Sequence, residues 1–174
     1  MKCFPSIYPL DYLAILVYKK YMFHIIDDEA MLRELAEAIL VDHGYDVLCF
    51  ESGNQYLEYL KSPEFEKPIA VLSDVTMPGI NGYDLAFEIR KMLPSQKIIL
   101  ITGNVDPEHY QKADQQVCYT LNKPYNPERF ITMTDSIVAC HQAHSSNEHA
   151  NYPSKCYIDP SFDCTFAHQV AYQN

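Results

Sequence analysis

The chain has 174 residues, of which 48% are hydrophobic and 21% charged; this excludes an intrinsically disordered chain and gives enough length for one packed domain with extensions. A formal net charge of −10 excludes a general nucleic-acid binder, because neutralising phosphates requires a basic face. Six cysteines without a recognisable export signal point to free thiols in a reducing compartment, hence a cytoplasmic location, rather than to a disulfide framework.

Residues 1–20 are expected to form an N-terminal extension. The apolar stretch within it, YLAILVY at 12–18, is far shorter than the roughly 18 residues of a membrane span. Asp11 precedes that stretch and no small-residue cleavage site follows, so neither a span nor a signal segment is expected. From residue 21 strand and helix patterns alternate. Residues 21–26 (YMFHII) read as a first strand, and 29–43 as a helix with Met31, Leu35 and Ile39 on one face, stopped by Gly44 at the C′ position. Residues 45–50 form a second strand, and Ser52 caps a helix running to 61, ahead of Pro63. Residues 69–73 are a wholly apolar third strand up to Ser73, followed by the loop MPGING and a helix over 83–92 with Leu85, Ala86 and Ile89 inward. A fourth strand over 97–102 (KIILIT), a weaker helix over 107–113, a fifth strand over 117–121 and a last helix from Pro127 to about 140 complete the series. Cys49 and Cys118 fall in these strands and read as small core hydrophobes.

Five such βα units in succession imply an α/β fold, a doubly wound parallel sheet with helices on both faces. Ligands in these sheets bind at the carboxyl ends of the strands. Two acidic groups are placed there. Asp74 ends the third strand and opens a Pro/Gly turn, while Asp27, Asp28 and Glu29 directly follow the first. Four carboxylates can therefore converge on one sheet edge.

The succession HIIDDEAMLREL, LSDVTMPGINGYDL, IILITG and LNKPYNPERF resembles the receiver domain of two-component response regulators, over about residues 21–140. The separate signals occur in the right order, which a lone acidic pair or a lone Lys-Pro would not provide. The resemblance implies a flavodoxin-like (βα)5 sheet of strand order 2-1-3-4-5. It also implies that Asp74 accepts a phosphoryl group from a sensor histidine kinase or a histidine phosphotransfer protein.

The residue chemistry agrees. A carboxylate becomes a useful phosphoryl acceptor when a metal offsets its neighbours' charge, and Asp27 and Asp28 supply hard oxygens of the kind Mg²⁺ prefers. By the resemblance, Asp28 and Asp74 ligate Mg²⁺ directly, Thr76 adds its backbone carbonyl, and Asp27 acts directly or through water. Lys123, followed by Pro124 in a pair that is cis in the family, aims a point charge at a phosphoryl oxygen. The resemblance further implies that Thr102 moves toward the phosphoryl group and carries the following loop with it, so that acylphosphate formation switches protein contacts. The implied protein is a signalling domain rather than an enzyme turning over a metabolite.

Two departures from the family pattern bear on output. The aromatic residue usual three positions before the lysine is replaced by Thr120, with Tyr119 one place earlier; strand parity sends these two side chains to opposite faces unless a bulge intervenes. The Gly-Ala pair usual before the fifth strand is replaced by Gln116 and Val117. By the resemblance, Thr76 and Asn104 occupy the places that tune acylphosphate lifetime in similar domains. The tail, 141–174, carries His141, His144, His149 and His168 with Cys156 and Cys164, but the spacings match no zinc module. It contains no recognition-helix pattern, so no direct DNA binding is expected, and the output protein is unspecified. Two alternatives remain open at this stage. One is a receiver-shaped adaptor that works without phosphorylation. The other is a haloacid-dehalogenase-like phosphohydrolase, against which Thr76 stands where that class needs a second acid.

Overall fold

The computed structural model describes residues 21–103 and 117–145. Within them the elements are β1 (Met22–Ile26), α1 (Ala30–Asp42), β2 (Asp46–Phe50), α2 (Gly53–Leu60), β3 (Ala70–Asp74), α3 (Gly82–Met92), β4 (Lys97–Thr102), β5 (Tyr119–Asn122) and α4 (Pro127–Ser145). The five strands form one parallel sheet in the order β2-β1-β3-β4-β5, as expected. The expected helix over 107–113, the first twenty residues and the tail beyond 145 lie outside the described residues.

Strand parity sorts the core into two layers. Phe23, Ile25, Ala70, Leu72, Ile99, Ile101 and Leu121 face one side, where Ala36 and Leu40 of α1 and Phe130, Met133 and Ile137 of α4 cover them. Ile26, Val71, Ile98 and Leu100 face the other, under Tyr56 and Leu60 of α2 and Leu85, Ala86 and Ile89 of α3. Burial on both faces explains why β3 and β4 read as unbroken apolar runs.

The helix ends follow local chemistry. The Gln55 amide donates to the Ser52 hydroxyl at 3.2 Å, and the Asp84 amide to Asn81 Oδ1 at 2.9 Å. The Arg129 amide donates to Asn126 Oδ1 at 2.7 Å, ahead of Pro127 in the first turn of α4. Gly44 lies just past α1 with φ +87°, a left-handed conformation that favours glycine.

The expected inner face of α1 is corrected. Met31 is 84% and Leu35 50% exposed, whereas Ala36 and Leu40 are buried. Ile39 of the expected stripe packs half-buried against the same layer, so the inner face is rotated by one residue away from Met31 and Leu35 toward Ala36 and Leu40. The fifth strand begins at Tyr119 rather than 117, and α4 runs five residues past 140. Cys49 and Cys118 are both of intermediate exposure; Cys49 packs against the α1/α4 core layer, and burial pushes the Cys118 thiol up, in keeping with small core hydrophobes.

One core position is polar. His24 is fully buried on β1, with Phe50, Tyr56, Tyr59 and Phe65 edge-on around its ring at centroid distances of 5.6 to 6.1 Å. Its Nδ1 is hydrogen-bonded to the Tyr56 hydroxyl at 3.2 Å, and its buried Nε2 has no partner among the described residues. Burial pushes the His24 pKa down from 6.5 to about 4.

Candidate functional site

The carboxyl ends of β1, β3 and β5 bring three charged side chains together. Lys123, just past β5, places its Nζ 2.9 Å from Asp74 Oδ1 and 3.0 Å from Asp27 Oδ2. All three side chains are largely enclosed, Lys123 being 16% exposed and the two carboxylates 6–7%. The parallel register explains the meeting: β1 and β5 flank β3 and β4, and all the strands point the same way.

Each remaining carboxylate oxygen is also engaged. The Glu29 amide donates to Asp27 Oδ1 at 2.9 Å and the Thr76 amide to Asp74 Oδ2 at 3.0 Å. Asp74 is pushed up from its ordinary carboxylate value, first by burial and further by the Asp27 charge, against the pull of Lys123 and the Thr76 amide. Burial alone would lower the Lys123 ammonium, but its hydrogen bonds to Asp74 and Asp27 outweigh that and leave it raised. Lys123 therefore stays charged, and one ammonium is shared between two carboxylates.

The backbone fixes this arrangement from several directions. The Lys123 amide donates to the Thr102 carbonyl at 2.7 Å, and the Val75 amide to the Ile101 carbonyl at 3.0 Å. The Lys123–Pro124 peptide is cis, as the resemblance implied. Gly82, the first residue of α3, lies against the backbone of Asp74, so closely that a Cβ there would collide with the Asp74 carbonyl oxygen. Thr102 is buried at the end of β4, one residue beyond the position paired with Asp74. Asp28 and Thr76 are both exposed at the rim.

The donor set fits a hard divalent cation. Asp27 and Asp74 already close around a cationic group, and Mg²⁺ needs only one or two carboxylates, with waters filling its octahedron. Among the described residues no three acidic, histidine or cysteine side chains gather around one point, so an all-protein cage is not what the site offers.

The comparisons with known proteins agree with this geometry. Residues 23–135 match the response regulator receiver domain. The chain belongs to the response regulator receiver family. It is 30% identical over 119 residues to the DNA-binding transcriptional regulator NtrC of Klebsiella pneumoniae, a match covering 68% of this chain and 25% of that protein. It is 28% identical over 116 residues to the transcriptional regulatory protein FixJ of Bradyrhizobium diazoefficiens, covering 66% of this chain and 55% of FixJ. The chain thus corresponds to only part of the length of these curated relatives.

Among solved structures, the response regulator TrrA of Thermotoga maritima in complex with Mg²⁺-BeF matches with a TM-score of 0.59 and 28% identity, over 67% of this chain and 98% of that one. The chemotaxis response regulator CheY4 of Vibrio cholerae matches in fold, with a TM-score of 0.61 and 23% identity over 68% of this chain and 98% of its own. Receiver domains are signalling domains of two-component systems, and membership of that family displaces the haloacid-dehalogenase alternative. Among the described residues no helix is long and apolar enough to cross a membrane.

The structure answers the question of the displaced aromatic. The register of β4 with β5 runs unbroken, Ile99 to Tyr119, Leu100 to Thr120, Ile101 to Leu121 and Thr102 to Asn122. With no bulge, Tyr119 packs on the α1/α4 side with Leu121, and Arg129 of α4 donates to its hydroxyl at 3.3 Å. Thr102 shares its strand parity with Leu100, which faces the α2/α3 side. Tyr119 and Thr102 therefore point to opposite faces of this receiver domain.

Two neighbours of the site carried no motif. Arg33 of α1 donates from Nη1 to the Asp27 carbonyl at 2.5 Å. Tyr125 stacks on Phe130, with centroids 5.1 Å apart; its phenol is raised above its ordinary value mainly by burial, with Lys123 opposing the charges of Asp27 and Asp74. Both lie inside strings that carry the resemblance, HIIDDEAMLREL and LNKPYNPERF, but their residue types alone assign them no role there.

Proposed function

We propose that this receiver domain takes a phosphoryl group on Asp74 from a phosphohistidine of a sensor histidine kinase or a histidine phosphotransfer protein, and that the acylphosphate switches its contacts with an output protein. An oxygen of the Asp74 carboxylate attacks phosphorus, the phosphorus–nitrogen bond of the donor breaks, and the imidazole leaves with the bond's electron pair. Hydrolysis reverses the modification when water attacks phosphorus and releases inorganic phosphate. The observation that carries this reading is the shared ammonium: Lys123 lies 2.9 Å from Asp74, within reach of an oxygen that a new phosphoryl group would bring.

Asp27, Asp28 and Asp74 with the Thr76 carbonyl would hold Mg²⁺, which when bound offsets the charge of the carboxylates and the incoming phosphate. Lys123 pairs with the phosphoryl oxygen as a point charge. Thr102, at the end of β4, donates its hydroxyl to the same group and couples it to the segment that follows. The domain spans about residues 21–140, flanked by an N-terminal extension over 1–20 and a tail over 141–174. It works in the cytoplasm, alters its own modification state rather than a metabolite, and signals through protein contacts.

Intact mass after incubation with acetyl phosphate tests the proposal. A Mg²⁺-dependent gain of one phosphoryl group in the wild type, absent in Asp74→Asn, is the expected result. A folded wild type that stays unmodified would favour a second reading, a receiver-shaped adaptor that works without phosphorylation, which the position of Tyr119 across the sheet from Thr102 supports.

A further inference from the structure

Asp27 is held at four separate atoms, its amide donating to the Phe50 carbonyl of β2 at 3.2 Å and its three oxygens each accepting one bond. Lys123 donates to Oδ2, the Glu29 amide donates to Oδ1, and Arg33 donates to the backbone carbonyl. The first two bonds orient the carboxylate. The third acts on the main chain just before Asp28, where β1 gives way to α1.

Arg33 stands in the first turn of α1, and its own amide donates to the Glu29 carbonyl at 3.0 Å. Helical side chains lean toward the N-terminus, so the guanidinium reaches back past its own helix start to the end of β1. The carbonyl of Glu29 already accepts from the amides of both Leu32 and Arg33. The helix itself therefore secures Glu29, and Arg33 alone among the α1 side chains bonds the residue two places earlier.

We infer that Arg33 is a positioning residue for the cation site, fixing the turn that presents Asp27 and Asp28 through its bond to the Asp27 carbonyl. The inference rests on the Mg²⁺-dependent reading above and adds a determinant of cation affinity outside the acidic residues. Two physical effects of removing Arg33 have opposite signs, which makes the idea decidable. Loss of a positive charge near two carboxylates would tighten cation binding by Coulomb attraction alone. Loss of the anchor would loosen the ligand geometry and weaken binding, as removal of supporting groups does at other metal sites.

The test is calorimetric titration of the full chain with Mg²⁺, comparing wild type, Arg33→Gln and Arg33→Lys, each with its melting temperature. Calorimetry suits a chain without tryptophan. The expected result is about a 10-fold weaker Kd for Arg33→Gln at a melting temperature near that of the wild type. Arg33→Lys keeps the charge but offers one donor point in place of a fork, and should fall between the two. Binding by Arg33→Gln that equals or exceeds the wild type overturns the inference. Should that variant not fold, Arg33→Lys decides: weaker binding supports the anchor, and unchanged binding overturns it. A wild type that takes up no Mg²⁺ refutes the functional reading itself and the inference with it.

Discussion

His24 gives the fold a defined sensitivity to acid. Its ring is enclosed by four aromatic side chains, and no carboxylate lies among the causes that shift it. A charged imidazole there would be buried without compensation. The folded-state pKa of about 4 lies below the ordinary 6.5, so the unfolded chain binds the proton more tightly than the folded one. Stability is therefore fully present above pH 6.5, falls as pH drops through the window, and levels off below about 4. The full loss amounts to roughly 3 kcal/mol, at about 1.4 kcal/mol per pH unit. Most of that loss is already present at about pH 4.5. Other groups also titrate in this range, so the comparison must be differential. Replacing both hydrogen-bond partners, His24→Leu with Tyr56→Phe, removes the titrating ring without stranding a phenol, and such paired replacements are nearly neutral. Urea unfolding of the two proteins should give similar stabilities near neutral pH and a variant more stable by roughly 2–3 kcal/mol near pH 4.5. Parallel stability curves across that window would refute the argument that His24 is buried neutral.

Replacing Lys123 with Met leaves Asp27 and Asp74 facing each other without their shared cation. Urea unfolding in chelator should show a loss of about 3 kcal/mol, largely restored by millimolar Mg²⁺; a loss that Mg²⁺ does not restore would count against a cation site at these carboxylates. Gly82→Ala drives a methyl into the Asp74 backbone, so a destabilisation of about 1–3 kcal/mol should accompany slower acetyl phosphate labelling by intact mass. Tyr119→Phe removes only the bond from Arg129 on the α1/α4 side; phosphoryl uptake should match the wild type and stability should change by less than about 0.5 kcal/mol. A marked change in uptake would show that Tyr119 couples to the site despite its face.

What the sequence revealed was whatever depends on position along a strand. β3 and β4 are covered on both faces, so their apolar runs are unambiguous, and Asp74 and Lys123 sit where those runs and β5 end. The choice of buried face on α1 was not legible. AMLRELAEAILVD offers one stripe through Met31, Leu35 and Ile39 and another through Leu32, Ala36 and Leu40, about 100° apart on the helix. The first is the bulkier, yet Ala36 and Leu40 are the buried pair, because close approach to the sheet favours the smaller side chain. α4 outran its apolar pattern for a related reason. Its last residues, HQAHS, carry no periodic hydrophobes, and the segment docks instead through polar and ring contacts, with His141 edge-on to Tyr21 and Gln142 donating to the Tyr21 hydroxyl at 3.0 Å. Arg33 was invisible because its role depends on a main-chain carbonyl, which leaves no mark on residue type.

The charge balance at the sheet edge limits how a switch could operate here. One ammonium serves two enclosed carboxylates, and Asp28 stands exposed beside them, so the site is negative before any modification. A phosphoryl group on Asp74 would exchange the carboxylate's single charge for close to two on the phosphate, a net gain of about one negative charge. Under the proposed function a divalent cation at the rim would offset that charge. The route outward from such an event is equally constrained. The aromatic on β5 lies across the sheet from the face that Thr102's strand position selects. Lys123, by contrast, is tied to β4 through the Thr102 carbonyl, and α4 begins only four residues after it. In this receiver domain a change in the partners of Lys123 therefore has a shorter mechanical path to α4 than a rotation of Tyr119 has to Thr102.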